Sequence, residues 1–116
     1  CEVHDAIKQE LIRRQENETT LFCKSIGLQG RALKNRVIAE ILEIEGRGGG
    51  FAELIPLLGG ERIKKAWECG DVDYAPLMVG QSVGLIRDIP TCRELLDRMA
   101  GEAVEHLNRA LKLARA

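Results

Sequence analysis

The residues best placed for chemistry lie in positions 78–84. Gly80 and Gly84 permit close backbone approach on either side of Gln81 and Ser82, whose side chains offer hydrogen-bond donors and acceptors beside the apolar Met78. Apolar neighbours on both sides should fix the orientation of the two polar side chains, as in a strand-to-helix turn that faces a ligand. From the pattern alone, a buried turn whose polar groups are satisfied internally is an equally good interpretation.

The titratable residues are better explained by structural roles. His4 and His106 are the only histidines, and each lies among charged residues of a predicted helix with no serine or cysteine nucleophile nearby in sequence. Asp71 and Asp73 could form an acid–base pair or bind a metal, but aspartates that follow a helix-stopping glycine are typical of a turn. The sequence therefore predicts no catalytic residue in this chain.

The cysteines and the glycine-rich run do not indicate a metal or phosphate site. The four cysteines are far apart and form no C-x-x-C pair, so we predict no bound metal and reduced thiols; they are Cys1, Cys23, Cys69 and Cys92. The glycine-rich run at residues 46–50 lacks the Lys-Ser/Thr pair and the preceding strand of a phosphate-binding loop.

Length and charge exclude several classes of protein. A chain of 116 residues suffices for one domain, whereas a closed (β/α)₈ barrel needs roughly 200 residues or more. Seventeen Lys and Arg against 18 Asp and Glu leave a net charge of −1, which predicts neither nucleic-acid nor membrane binding. No membrane span or secretory signal is evident, so we expect a cytoplasmic protein. Because the sequence begins at Cys1, we also expect that it was processed or cut from something longer.

The elements that position this segment are mostly helical, and we predict four to six helices with one or two short strands. Apolar residues at three- and four-residue intervals predict helices over residues 3–15, 30–45, 51–58 with an interruption before Pro56, 61–69, 80–86, and from a capping box at Thr91 and Glu94 to the C-terminus. The apolar stripe of this last helix is expected to be buried; it comprises Leu95, Leu96, Met99, Val104, Leu107, Leu111 and Leu113. Residues 19–24 predict a strand, which must pair with residues 77–79 or with another chain, or be disordered if the chain is a detached piece.

Several stretches together resemble the C-terminal part of the nitronate monooxygenase family, formerly 2-nitropropane dioxygenase, which includes the FMN-dependent enoyl-acyl-carrier-protein reductase II enzymes. No single stretch is diagnostic, but they occur in matching order over nearly the whole chain: CEVHDAIK (1–8), ETT (18–20), RALKN (31–35), GDVD (70–73), MVGQSVGLI (78–86) and DI (88–89).

The resemblance implies a helical C-terminal subdomain of an FMN-dependent (β/α)₈ barrel enzyme whose barrel is absent from this chain. It places residues 1–25 at the last barrel helix and a short strand, and residues 26–116 in the helical subdomain. It implies that Met78, Gly80, Gln81 and Ser82 face flavin or substrate at the barrel mouth, and that His4 is not the family's catalytic histidine. It also implies FMN in the intact parent enzyme and no cofactor in this chain alone.

Two classes of function follow from these observations. The first is the C-terminal part of an FMN-dependent oxidoreductase that oxidises alkyl nitronates or a related small substrate, or of an enoyl-acyl-carrier-protein reductase II-type enzyme, inactive alone. The second is a free-standing helical interaction module without chemistry. The expected partners are the missing barrel domain or another copy of the chain, as in a homo-oligomer, and a small-molecule substrate in the parent.

Overall fold

The computed structural model describes residues 3–115. These residues are mostly helical with two short strands and no barrel, which confirms the predicted fold class. Five α-helices, two strands and two 3₁₀ helices are formed: α1 (Asp5–Arg13), a 3₁₀ helix (Glu16–Glu18), β1 (Thr19–Phe22), β2 (Gly30–Leu33), α2 (Arg36–Gly46), α3 (Phe51–Leu58), α4 (Gly60–Cys69), a second 3₁₀ helix (Gln81–Leu85) and α5 (Cys92–Ala114). The predicted division at residue 25 stays a prediction.

The small sheet differs from the predicted one in its pairing. β1 pairs antiparallel with β2, and Thr20 lies opposite Ala32. Residues 77–79 then pair with the other edge of β2 through a bridge between Ala32 and Met78. The expectation that the first strand pairs with residues 77–79 was therefore wrong, because β2 lies between the two segments. Pairing with another chain stays a prediction.

The predicted helix over residues 30–45 begins later than expected. Gly30–Leu33 is a strand, and α2 starts at Arg36 with Asn35 as its N-cap, whose side-chain Oδ1 accepts a hydrogen bond from the Ile38 amide at 3.0 Å. A Cβ added at Gly30 would lie 2.9 Å from the Met78 methyl group and 3.0 Å from the Phe22 ring. A glycine at the start of β2 therefore lets two large side chains pack over the strand.

Two apolar clusters cover the two faces of the sheet. One face packs on α2 and α3, and the other packs on α1 and the second 3₁₀ helix. The buried members of the first cluster are Phe22, Cys23, Ala32, Val37, Ile38, Ile41, Ile44, Leu54 and Leu57, and those of the second are Ile7, Leu33, Leu77 and Val83. Alternation along β2 explains the division, since Ala32 and Leu33 point to opposite faces.

Helix α3 continues through Pro56, although an interruption was predicted there. The buried side chains of Leu54 and Leu57 hold the helix on either side of the proline. Pro56 is exposed, so the carbonyl that loses its amide partner can bind water. Helix α4 ends as predicted at Gly70, whose φ of 75° is the left-handed conformation of a helix stop.

Helix α5 has the predicted start but not the predicted burial. Thr91 and Glu94 form the capping box, in which the Thr91 amide donates to Glu94 Oε2 at 2.8 Å. None of its residues in the described part of the chain is buried, and Leu107 and Leu113 are 70% and 72% exposed. The apolar stripe predicted to be buried therefore has no covering element within residues 3–115. The pattern correctly predicts an amphipathic helix but cannot say which part of a molecule covers it.

Candidate functional site

The Gly80-Gln81-Ser82 turn joins the edge of the sheet to the second 3₁₀ helix. Met78, Gly80, Gln81 and Ser82, the four residues predicted to face flavin or substrate, lie together on this turn and are all exposed, with Met78 at 59%. The alternative of a buried turn with internally satisfied polar groups was therefore wrong.

Buried residues on either side fix the backbone of this turn. The Leu33 amide donates to the Leu77 carbonyl at 3.0 Å, and the Val79 amide donates to the Arg31 carbonyl at 3.2 Å. Beyond the turn, the Val83 amide donates to the Gly80 carbonyl at 3.1 Å, and the Val83 side chain is buried. Exposed polar side chains on a fixed backbone are an arrangement suited to ligand contact.

Gly84 allows the second 3₁₀ helix to lie against the first. A Cβ added at Gly84 would be 2.7 Å from the Glu16 amide nitrogen and 2.7 Å from Glu16 Oε2. No pattern in the sequence indicated that Glu16 supports the turn, because the two residues are distant along the chain. The sequence predicted close backbone approach at Gly84, but to a ligand. In the structure it is Glu16 of the first 3₁₀ helix that approaches this glycine.

Charged side chains hold the first 3₁₀ helix in place. Arg14 bridges Glu10 at 2.5 Å and Glu18 at 3.0 Å. Burial tends to lower the pKa of Arg14, but hydrogen bonds to Glu10 and Glu18 outweigh it and raise that pKa. The Gln15 amide, followed by the Arg14 guanidinium, holds the pKa of Glu18 below its usual range. These contacts tie the end of α1 to the 3₁₀ helix on which Gly84 packs.

An open groove of about 780 Å³ lies between the turn and the start of α5. Its lining contains both apolar and polar side chains and is more apolar than polar; it comprises Ser82, Leu85, Ile86, Arg87, Asp88, Pro90, Leu95, Arg98, Met99 and Glu102. Arg98 binds both oxygens of Asp88, at 2.9 and 3.1 Å, and this pairing lowers the pKa of Asp88. Ser82 therefore borders a groove whose lining is more apolar than polar.

The turn can offer hydrogen bonds but not a phosphate site. A Cβ at Gly80 would meet only Ser82, with Oγ at 3.5 Å, so the backbone there can be approached closely. The Gln81 amide and the Ser82 hydroxyl are both donors and acceptors, which suits the polar edge of a flavin ring or a carbonyl or nitro oxygen. No residue of the turn carries a positive charge for a phosphate group.

The structure places the remaining candidates outside this site. His4 is the N-cap of α1 and accepts a hydrogen bond from the Ala6 amide at 3.1 Å, and His106 is exposed on α5. Asp71 accepts from the Asp73 amide at 2.9 Å, and Asp73 accepts from the Arg36 amide at 2.8 Å at the start of α2. The two aspartates therefore have the structural roles predicted for them.

The cysteines in the described part of the chain form no disulfide. Cys23 is buried, which raises the pKa of its thiol, while Cys69 and Cys92 are exposed. Cys1 lies outside the described residues. Among residues 3–115, no three His, Cys, Asp or Glu side chains come close enough together to hold a metal ion. No helix in that range is both long and apolar enough to cross a membrane.

The chain is similar to part of a solved structure, FabK from Thermotoga maritima. The match has a TM-score of 0.76 and 25% sequence identity, and it covers 93% of this chain and 35% of the FabK chain. A point mutant of FabK matches with a TM-score of 0.72 and 20% identity, over 93% of this chain and 31% of the mutant chain. This chain thus spans about a third of the length of the FabK chains. No family model matches it.

Proposed function

We propose that this chain is the C-terminal part of an FMN-dependent oxidoreductase of the nitronate monooxygenase and enoyl-acyl-carrier-protein reductase II type. The exposed Gly80-Gln81-Ser82 turn carries the proposal, because its backbone is fixed while its polar side chains remain free to contact a ligand. On this proposal the chain supplies one wall of the active site and is inactive alone.

Two observations support the family. The stretches from residue 1 to residue 89 resemble the C-terminal part of that family, and the fold matches part of FabK. Because the chain spans about a third of FabK, the activity, substrate and partners belong to the proposal.

The roles proposed for the turn follow from the chemistry of its side chains. Gln81 and Ser82 would hydrogen-bond to flavin or substrate, and Gly80 would allow the ligand to approach the backbone. Met78 would contact an apolar part of the ligand, since its thioether side chain adapts to irregular surfaces. Bound FMN would supply electron transfer, and the turn would orient its reaction partner. The FMN phosphate would bind elsewhere in the parent protein.

Two substrate classes are open to this site. The resemblance indicates alkyl nitronates first and, through the enoyl-acyl-carrier-protein reductase II enzymes, an enoyl thioester as the alternative. The groove beside Ser82 favours the second class, because a lining that is more apolar than polar could hold an acyl chain. A nitronate with a short alkyl group would leave most of that groove unused.

The test is an intact protein in which this sequence continues from a flavin-binding barrel. It is purified, its flavin content is measured, and turnover is followed with propyl nitronate and oxygen and, separately, with an enoyl thioester and a reduced nicotinamide. Bound FMN with turnover of either substrate is expected. Bound FMN without either activity would overturn the proposed reaction, and absence of FMN would overturn the family.

A further inference from the structure

Strand β1 has a free edge. The Leu33 amide and the Arg31 carbonyl both bond to residues 77–79, so the backbone groups of these two β2 residues point away from β1. Their partners across the pair are Thr19 and Leu21. In an antiparallel pair the two directly opposite residues either exchange hydrogen bonds or both point outward. The amides and carbonyls of Thr19 and Leu21 therefore point outward.

Leu21 presents the most accessible part of this edge. Within residues 3–115, no backbone group outside the sheet pairs with its amide or its carbonyl, and the carbonyl receives only a long contact, 3.4 Å, from Thr20 Oγ1. Thr19 is 6% exposed, so its edge is largely covered. Just after β1, the Cys23 amide donates a hydrogen bond to Glu45 Oε2 at 2.8 Å. The free edge is thus short and centred on Leu21.

An apolar groove on one side of α2 runs beside this edge. The groove has a volume of about 470 Å³, and its lining includes Thr20 of β1 and Ile38, Ala39 and Leu42 of α2. Leu42 is 39% exposed, although it lies next to the core. If a strand of another chain paired with Leu21, the helix that packs on that strand would lie against this side of α2.

The charges on α2 have opposite signs at its two ends. Arg36 lies in the first turn, and Glu43 lies seven residues later, so both lie on the same side of the helix. Neither side chain forms an ion pair with any described residue. Helix α2 runs in the same direction as β1, since Asn35 lines the groove beside Thr20 and Glu45 reaches Cys23.

We propose that the free edge of β1 pairs antiparallel with β1 of a second copy of this chain, on a two-fold axis at Leu21. The Leu21 amide of each copy then donates to the Leu21 carbonyl of the other, and the two hairpins form one continuous sheet. The rotation also sets the two α2 helices antiparallel beside each other, with Leu42 in the contact and Arg36 near the partner's Glu43.

A second copy fits this surface better than an unrelated strand does. The edge is too short for an extended peptide, which gains affinity from a row of backbone hydrogen bonds. Two-fold pairing adds the α2 contact and two copies of the charge pair to the few backbone bonds. The same contact then fills the groove, pairs the charges of α2 and gives the backbone groups of Leu21 hydrogen-bond partners.

The experiment measures sedimentation of the purified chain across micromolar to millimolar concentrations. A dimer that dissociates on dilution is expected. Arg36→Glu should weaken its Kd roughly five- to tenfold, and the double exchange Arg36→Glu with Glu43→Arg should restore it to within about twofold, because the pair joins different copies. Hydrogen exchange of the Leu21 amide should be slow in the dimer and fast on dilution.

Leu42→Glu is expected to leave only monomer, with an unchanged helical circular dichroism spectrum because Leu42 is exposed. Leu107→Glu, on the exposed face of α5, is the matched control and should leave the dimer intact. A monomer at every concentration would overturn the proposal. So would a dimer that only Leu107→Glu dissociates, or a double exchange that fails to restore binding.

Discussion

Gln81 and Ser82 have exposed side chains on a backbone that their neighbours fix. Replacing either with alanine removes a hydrogen-bonding group without leaving a buried partner unpaired. If the chain has the proposed function, Gln81→Ala and Ser82→Ala in the intact parent enzyme should each lower kcat/KM by about one to two orders of magnitude, or roughly 1.4 to 3 kcal/mol. Steady-state kinetics and thermal melting of the same preparations measure the two effects.

His106→Ala is the matched control for these variants, since His106 is exposed on α5 and should affect neither turnover nor melting. Variants of Gln81 and Ser82 that melt early yet turn over normally would assign the turn a purely structural role. The glycine spacing and the polar pair were sufficient to predict this turn from the sequence. The exposure of the turn was not predictable, because it depends on which distant residues pack beneath it.

Glu45 stabilises the loop between β1 and β2. Its carboxylate accepts hydrogen bonds from the Cys23 amide at 2.8 Å, the Ser25 amide at 2.9 Å and Ser25 Oγ at 2.7 Å. Burial tends to raise the pKa of Glu45, but these hydrogen bonds outweigh it and lower the pKa below its usual range. They also support Cys23 at a φ of 57°, which is strained for a residue with a side chain.

Because the pKa of Glu45 is lower in the folded chain, its contribution to stability is present above the unfolded pKa and lost as pH falls through the folded pKa. Glu45→Gln should lower the free energy of unfolding at neutral pH by about 1 to 2 kcal/mol. It should also reduce the loss of stability below pH 4.5. Urea melts at several pH values measure both effects, and Glu105→Gln on exposed α5 is the control. If the Glu45→Gln variant lost as much stability at acid pH as the unchanged chain, this role of Glu45 would be contradicted.

The elements formed by local patterns were predicted well, and those formed by distant contacts were not. The capping box of α5 and the glycine end of α4 depend on neighbouring residues, and both were predicted. Residues 30–33 read Gly-Arg-Ala-Leu, and three of these favour helices. They form β2 because segments on both sides supply its hydrogen bonds, which no local pattern reveals. Asn35 was the one local sign of where α2 begins.

Alanine substitution at two glycines in different elements should change the free energy of unfolding in opposite directions. In Gly84→Ala the new Cβ would lie 2.7 Å from the Glu16 backbone, so the two 3₁₀ helices must separate. We expect a loss of about 1 to 3 kcal/mol in the free energy of unfolding. In Gly101→Ala the Cβ meets nothing within 4 Å, and α5 should gain about 0.5 to 1 kcal/mol in helix stability.

Chemical denaturation followed by circular dichroism measures both variants, and each serves as the control for the other. Equal effects would mean that the contact between Gly84 and Glu16 does not hold the second 3₁₀ helix in place. In the intact enzyme, Gly84→Ala should also lower turnover, because the Gly80-Gln81-Ser82 turn is continuous with that helix.

At the scale of the molecule, the described residues form a small packed body from which α5 extends. The principal axes measure 57 × 31 × 20 Å, and α5 accounts for much of the elongation with its apolar residues exposed. Exposed apolar faces of this length are typical of interaction surfaces. The sequence predicted the amphipathic helix, because it follows from the spacing of apolar residues, whereas the partner that would cover this face stays a prediction.

The chain alone is expected not to retain flavin. The Gly80-Gln81-Ser82 turn could contact one edge of a flavin ring, but no residue of the turn carries a positive charge for the phosphate. A ligand held through one edge loses most of the contacts that a flavin site provides. Chain purified with excess FMN and then desalted should therefore be colourless, and calorimetric titration should give no measurable heat of binding. The intact parent protein, treated identically, is the positive control. A yellow chain carrying one FMN per molecule would mean that these residues form a complete flavin site, and the barrel would then be unnecessary for cofactor binding.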